Sequence, residues 1–290
     1  MKLRRIAVLL SIALLAGLIG AWLFGSAMSR PANAEIERPG APARTIRLIA
    51  NDETPIEGSF WPGSRPDAPA VLLLHGIDGS RLQMAPHAHW LNGLGYAVLA
   101  IDFRGHGRSG AVRRSFGLDE ARDAAAALAL LRAGAPRRPV GVIGISLGGA
   151  AALLGEEGPL PVQAMVLQAV YPDLRTAISN RITRIAGWPI AAIGEPLLSY
   201  QSLLRYGVSP ARIAPLDRIG RVAAPLLIIG GTADRSTTIA DTRALYAAAP
   251  SPKAVWLIDG ADHGAISALW TEEYRSRIRS LFARTLGEPR

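Results

Sequence analysis

Val142-Ile143-Gly144-Ile145-Ser146-Leu147-Gly148-Gly149-Ala150-Ala151 sets one serine between glycines, after an apolar run and before an alanine-rich one. The apolar run, Val140–Ile145, reads as a strand buried on both faces, and a helix starts directly after Ser146. A turn that tight strains the serine backbone, and small residues on either side let the chains pass closely. Gly144-Ile145-Ser146-Leu147-Gly148 is therefore expected to be a nucleophile elbow rather than an ordinary loop serine. The pattern alone is weak; the strand-turn-helix context sharpens it. The helix N-terminus also favours negative charge beside the serine.

The same alternation extends along the chain. Thr45–Ala50 and Ile56–Trp61 read as a strand pair around Asn51-Asp52. Short apolar runs at Ala70–Leu74, Tyr96–Ile101, Gln163–Ala169, Pro225–Ile229 and Ala254–Ile258 read as further strands. Helices fit at Pro86–Leu94, Leu118–Arg132, Thr238–Ala248 and Ile266–Leu286. Strands alternating with helices predict an α/β fold with a mostly parallel sheet and helices on both faces. The alternation breaks between Tyr171 and Val222, which reads as a small helical insertion over the strand ends.

In such sheets functional groups gather at the C-terminal ends of the strands. A serine hydroxyl is a poor nucleophile without a base, and the base needs an orienting acid. Of the five histidines, His263 follows the last strand and precedes the last helix, which puts it at the same sheet edge as Ser146. Asp234, in Gly230-Gly231-Thr232-Ala233-Asp234, follows the strand before it. The order Ser146, Asp234, His263 supplies nucleophile, acid and base. Asp234 has an alternative as a turn residue bonding its own backbone. Asp259 and Asp262 compete as the acid but stand too near His263 in sequence to reach its far side easily. Two backbone N–H groups should hold a developing oxyanion: that of Leu147, after the serine, and that of Ile77, in His75-Gly76-Ile77-Asp78-Gly79. His75 is expected to brace that loop, and His87 and His89 to sit on a helix surface.

The chain has no cysteine, which excludes disulfides, thiolate metal sites and a cysteine nucleophile. Its net charge of +9 is not a nucleic-acid signature. Lys2, Arg4, Arg5 and Arg30 lie in or beside an N-terminal apolar segment, no acid precedes Glu35, and the other arginines are scattered rather than striped. Ile6 to Met28 carries no charge, which matches the roughly 20 residues that cross a bilayer core. Residues 1–28 are thus a transmembrane anchor or a signal segment, the second reading placing a cut after Ala34. The basic start keeps the N-terminus inside, so either reading puts the remainder on the extracytoplasmic side, anchored or secreted. Residues 29–44, with Pro31, Pro39 and Pro42, read as a linker, and 45–290 as the folded domain, with the insertion at about 171–222.

His75-Gly76-Ile77-Asp78-Gly79, Asp102-Phe103-Arg104-Gly105-His106-Gly107-Arg108-Ser109, the Ser146 elbow and the Asp234 and His263 loops together resemble the α/β-hydrolase superfamily over about residues 45 to 287. Within it the chain is similar to the dienelactone hydrolase and prolyl-oligopeptidase-like branch. It departs from the first in having Ser146 where that pattern has cysteine, and from the second in leaving no room for an N-terminal propeller. The resemblance implies that Asp102–Ser109 is a structural turn. It also implies a serine acyl hydrolase acting on a small-molecule ester, without cofactor or metal. The apolar and aromatic residues of 171–222 suggest an apolar part in that substrate, and core packing explains them equally well. Peptidase, amidase or thioesterase activity would use the same groups. A non-catalytic membrane-tethered binding protein is the reading from another class.

Overall fold

The computed structural model describes residues 2–289. Eight strands build the central sheet: β1 (Arg44–Ile49), β2 (Pro55–Trp61), β3 (Ala70–Leu74), β4 (Ala97–Ile101), β5 (Val140–Ile145), β6 (Ala164–Gln168), β7 (Leu226–Gly231) and β8 (Lys253–Ile258). Their order is β1-β2-β4-β3-β5-β6-β7-β8. β1 with β2 and β2 with β4 run antiparallel, and all other neighbours run parallel.

The continuous apolar runs are explained by burial from two sides. Ala70, Leu72 and Leu74 of β3 join a core on one face, while Val71 and Leu73 join another on the opposite face. Side chains alternate along a strand, so a strand covered on both faces has no position left for a polar residue. The first element among the described residues is α1 (Lys2–Ser29). α2 (Ala85–Gly93) supplies residues to the second core, and α3 (Glu120–Ala133) and α4 (Leu147–Leu153) to the first. The break in the alternation is a helical insertion after β6, comprising α5 (Leu174–Ala186), α6 (Trp188–Ser199), α7 (Gln201–Tyr206) and α8 (Pro215–Ile219). Beyond β7 come α9 (Ile239–Ala248), α10 (His263–Ser267) and α11 (Glu272–Leu286).

From β3 the chain goes to β4 on one side, then crosses back to β5 on the other. The crevice between the C-terminal ends of β3 and β5 is where ligands gather in open α/β sheets, and it carries both Ile77 and Ser146.

Two expectations need correction. Ile266–Leu286 is not one helix. It stops after Ser267 and restarts as α11, because the Thr271 side chain accepts from the Tyr274 N–H at 3.1 Å and caps a new helix. His87 is not on a surface. Trp270 and Tyr274, close to 190 residues away in sequence, cover it, and its Nε2 bonds the Tyr274 hydroxyl at 2.8 Å. Burial pulls its pKa down to about 4, so it is a neutral core histidine.

The Asp102–Ser109 segment is tied down by charge. Asp102 accepts from the Arg81 N–H and guanidinium and from the Arg108 N–H, and Arg104 forks onto Asp123 and Asp52. Residues before the domain also dock here. Ala32–Asn33 pairs in parallel with His106–Gly107, and the Asn33 amide donates to the carbonyl of Ser109 at 2.7 Å.

Candidate active site

Ser146 has φ 49° and ψ −108°. A non-glycine residue there is strained by roughly 1–3 kcal/mol, and such strain concentrates at functional sites. Two bonds hold it: its N–H donates to the Gln168 carbonyl at 2.8 Å, and its carbonyl accepts from the Ala150 N–H at 3.0 Å. The flanking glycines are required by contact. A Cβ on Gly144 would lie 2.6 Å from the Gly149 nitrogen, and one on Gly148 would lie 2.3 Å from the Leu74 carbonyl oxygen. Helix α4 can therefore turn back over the end of β3 only with hydrogen at both positions.

Asp234 and His263 stand on neighbouring loops after β7 and β8. Those loops are joined by the Ala233 N–H donating to the Ala261 carbonyl at 3.1 Å and the Thr232 N–H donating to that of Ile258 at 3.0 Å. Gly231 makes the approach possible, since a Cβ there would lie 2.1 Å from the Ala261 oxygen. The Asp234 carboxylate accepts from the N–H groups of Ser236 and Thr237 at 2.7 and 2.9 Å and from the Thr237 hydroxyl at 2.6 Å. It also accepts from His263 Nδ1 at 2.7 Å. Burial works to raise its pKa, but the bonds from His263 and Thr237 outweigh burial and hold it below the usual carboxylate value. The bond orients the ring with Nε2 away from Asp234. The His263 side chain stays 30% exposed while that of Asp234 is fully buried. The rival carboxylates are engaged elsewhere: Asp259 accepts from the Thr232 hydroxyl, and Asp262 caps α10 through the Ala265 N–H.

His75 does brace its loop. The ring is fully buried and its pKa is pulled down to about 3, chiefly by burial and then by the neighbouring His106. Nε2 accepts from the Phe103 N–H at 3.0 Å, which leaves the proton on Nδ1, 2.7 Å from the Gly76 carbonyl. The Gly79 N–H donates to that same carbonyl at 3.0 Å. In a trans peptide the N–H points opposite to the C=O, so pinning Gly76 also aims the Ile77 N–H. The Leu147 N–H opens a helix and is one of its unsatisfied first-turn donors. Neither N–H meets an acceptor among the described residues.

Ser146, Leu147, Ile77 and His263 line one pocket, a cavity of about 150 Å³. Most of its wall is apolar and comes from the insertion, with Leu174, Ile178, Ile182 and Leu198 among the residues. Phe24 and Met28 at the end of α1 complete it, although the sequence places them in the segment before the domain.

Behind the site runs a buried chain of hydrogen bonds that no sequence periodicity marks. Tyr274 accepts from His87 and donates to Gln168 Oε1 at 3.0 Å, and the Gln168 amide donates to the Ile266 carbonyl in α10. Gln168 thus ties the serine turn to the helix that starts at His263. Its signal was a single amide ending an otherwise apolar strand.

A family model described as serine aminopeptidase, S33, matches residues 65–201. The uncharacterized protein Rv2307c of Mycobacterium tuberculosis is 30% identical over 223 residues, 76% of this chain and 72% of that protein. The esterase Pf2001 of Pyrococcus furiosus superposes with a TM-score of 0.70 at 23% identity, covering 89% of this chain and 99% of that one. An acylaminoacyl peptidase of Pyrococcus horikoshii superposes at 0.63 with 17% identity, covering 85% of this chain and 42% of its own.

Proposed function

Because the chain belongs to the α/β-hydrolase superfamily, we propose that it is a serine hydrolase of carboxylic esters that works through an acyl-enzyme on Ser146. The observation that carries this is the 2.7 Å bond from His263 to buried Asp234, with His263 on the same pocket wall as strained Ser146.

Ser146 Oγ attacks the ester carbonyl carbon while His263 Nε2 takes the hydroxyl proton. Asp234 stabilises the imidazolium that forms. The carbonyl oxygen becomes an oxyanion facing the N–H groups of Ile77 and Leu147, each worth about 10²–10³ in rate. The C–O bond then breaks and the alcohol leaves with the proton from His263. Water, deprotonated by His263, attacks the acyl-enzyme, and the acid leaves as His263 returns the proton to Ser146 Oγ. A peptidase or amidase is the second reading, favoured by the description of the matched family. It uses the same groups and differs only in the leaving amine.

We read α1 as a retained membrane anchor with the domain on the extracytoplasmic side. Its Arg4–Ser29 stretch is apolar enough to cross a bilayer, and its most apolar window is not buried by the domain. Cleavage after Ala34 would also remove Phe24 and Met28 from the pocket wall.

The test is hydrolysis of p-nitrophenyl esters of rising acyl length beside matched p-nitroanilides, with Ser146→Ala as control. Ester turnover that vanishes in the variant is expected. A folded chain that cleaves only the anilides would replace the esterase with the amidase. Turnover unchanged in Ser146→Ala would remove both.

A further inference from the structure

The insertion presents an apolar face that the rest of the fold leaves open. Glu195 is the one charged residue of α6, and it is buried and bound by Arg175 at 2.8 Å. Around it Trp188, Ile190, Ile193 and Leu197 are exposed, and Leu203 and Leu204 of α7 continue the face. Trp188 is 74% exposed and Leu204 79%. A helix apolar on all sides belongs in a core or a membrane, and a contiguous patch of this kind marks an interaction surface.

The position of α1 identifies the partner. α7 is fastened to the last turns of α1: Gln201 Nε2 donates to the Ala21 carbonyl at 2.9 Å, and Arg205 donates to the Trp22 carbonyl at 2.8 Å and to Ser26 Oγ at 2.9 Å. The Arg205 guanidinium also lies 4.0 Å from the centre of the Trp22 ring. A span that starts at Ile6 crosses the ~30 Å hydrocarbon core in about 20 residues, which ends it near Gly25. With α1 read as an anchor, residues 21–26 stand at the lipid–water boundary, where tryptophan and arginine collect, and α7 is held at that level. The same turns of α1 supply Phe24 and Met28 to the pocket.

We propose that the α6–α7 face rests in the surface of the bilayer that α1 crosses, and that the pocket takes the acyl chain of a membrane-resident lipid ester directly from the lipid phase. The substrate part of this rests on the serine-hydrolase reading above. A cavity of about 150 Å³ is the size that holds a benzene ring. A longer acyl chain therefore extends past Phe24 and Met28 toward the lipid.

The experiment uses the full chain in vesicles of phosphatidylcholine with brominated acyl chains. Bromine should quench an emission component that disappears in Trp188→Phe. In the same vesicles Ile193→Glu and Leu204→Glu, neither of which lines the pocket, should slow hydrolysis of bilayer-dissolved 4-methylumbelliferyl palmitate at least about tenfold. Charge opposes interfacial seating of an apolar face, and p-nitrophenyl acetate in the aqueous phase should be cleaved within about twofold of the parent rate. An unquenched Trp188 overturns the proposal. So does an equal loss on both esters, or a cross-linked dimer of the parent that the two variants abolish, since the face would then serve a second copy. Quenched Trp188 with neither ester cleaved by the parent upholds the docking face and removes the hydrolase reading instead.

Discussion

Replacing Asp234 by asparagine should abolish most of the turnover while keeping the loop. The amide oxygen can still accept the N–H bonds of Ser236 and Thr237 that now reach Oδ1. The amide nitrogen takes the place of Oδ2, which accepts from the Thr237 hydroxyl and from His263 at 2.7 Å. It would donate to Nδ1, force the imidazole proton onto Nε2, and leave no lone pair for the Ser146 hydroxyl. It would also remove the charge that faces the imidazolium in the transition state. Two unit charges about 4 Å apart at an effective dielectric of 20 attract by about 4 kcal/mol, which is about 10³ in rate. The tautomer cost adds to this, so kcat on a p-nitrophenyl ester should fall at least about 10³-fold. The assay is steady-state hydrolysis by the detergent-solubilised chain, with a thermal melt to show that Asp234→Asn is folded. A folded variant within tenfold of the parent would refute the argument and leave Asp234 as a turn residue serving its own backbone.

Three further outcomes follow from the packing. Gly148→Ala should destabilise the chain by about 1–3 kcal/mol, the usual cost of overpacking, because the new Cβ meets the backbone of β3 at 2.3 Å; an unchanged urea midpoint would contradict this. His87, pulled down to about 4 by burial, stays neutral while its unfolded counterpart protonates below about 6.5. Its contribution to stability is therefore complete above pH 6.5 and shrinks as pH falls toward 4, by about 2 kcal/mol at pH 5. His87→Phe should remove that part of the drop in urea midpoint between pH 7 and pH 5, and an identical drop in both proteins would count against it. Gln168→Leu should lower kcat more than it raises KM, since Gln168 fixes α10 relative to the serine turn without lining the pocket; a change in KM alone would show that it shapes the pocket.

The parts that were legible depend on short-range pattern. β3 and β5 read as strands because burial on both faces leaves them wholly apolar. The elbow read from its glycines, and the contact distances at Gly144 and Gly148 give the steric reason. Asp234 and His263 were expected together from chain order and from each following a strand, because strand ends in a parallel sheet share one edge. Most of what did not read was long-range. His87 looked exposed because Tyr274 and Trp270 are remote in sequence. The apolar stripe of residues 266–286 concealed the break at Thr271, although a threonine followed by two glutamates is a helix-start signal. No periodicity could reveal that the end of α1 closes the pocket, since that contact joins residues 24–28 to the insertion some 150 residues later.

The most direct measurement of the central claim is a fluorophosphonate label read out by peptide mass spectrometry on the full chain. The account predicts a single modified residue, Ser146, with labelling lost in Ser146→Ala and slowed in His263→Ala. An ester-hydrolysing chain labelled at another residue, or one that keeps its turnover and its label in Ser146→Ala, would contradict it.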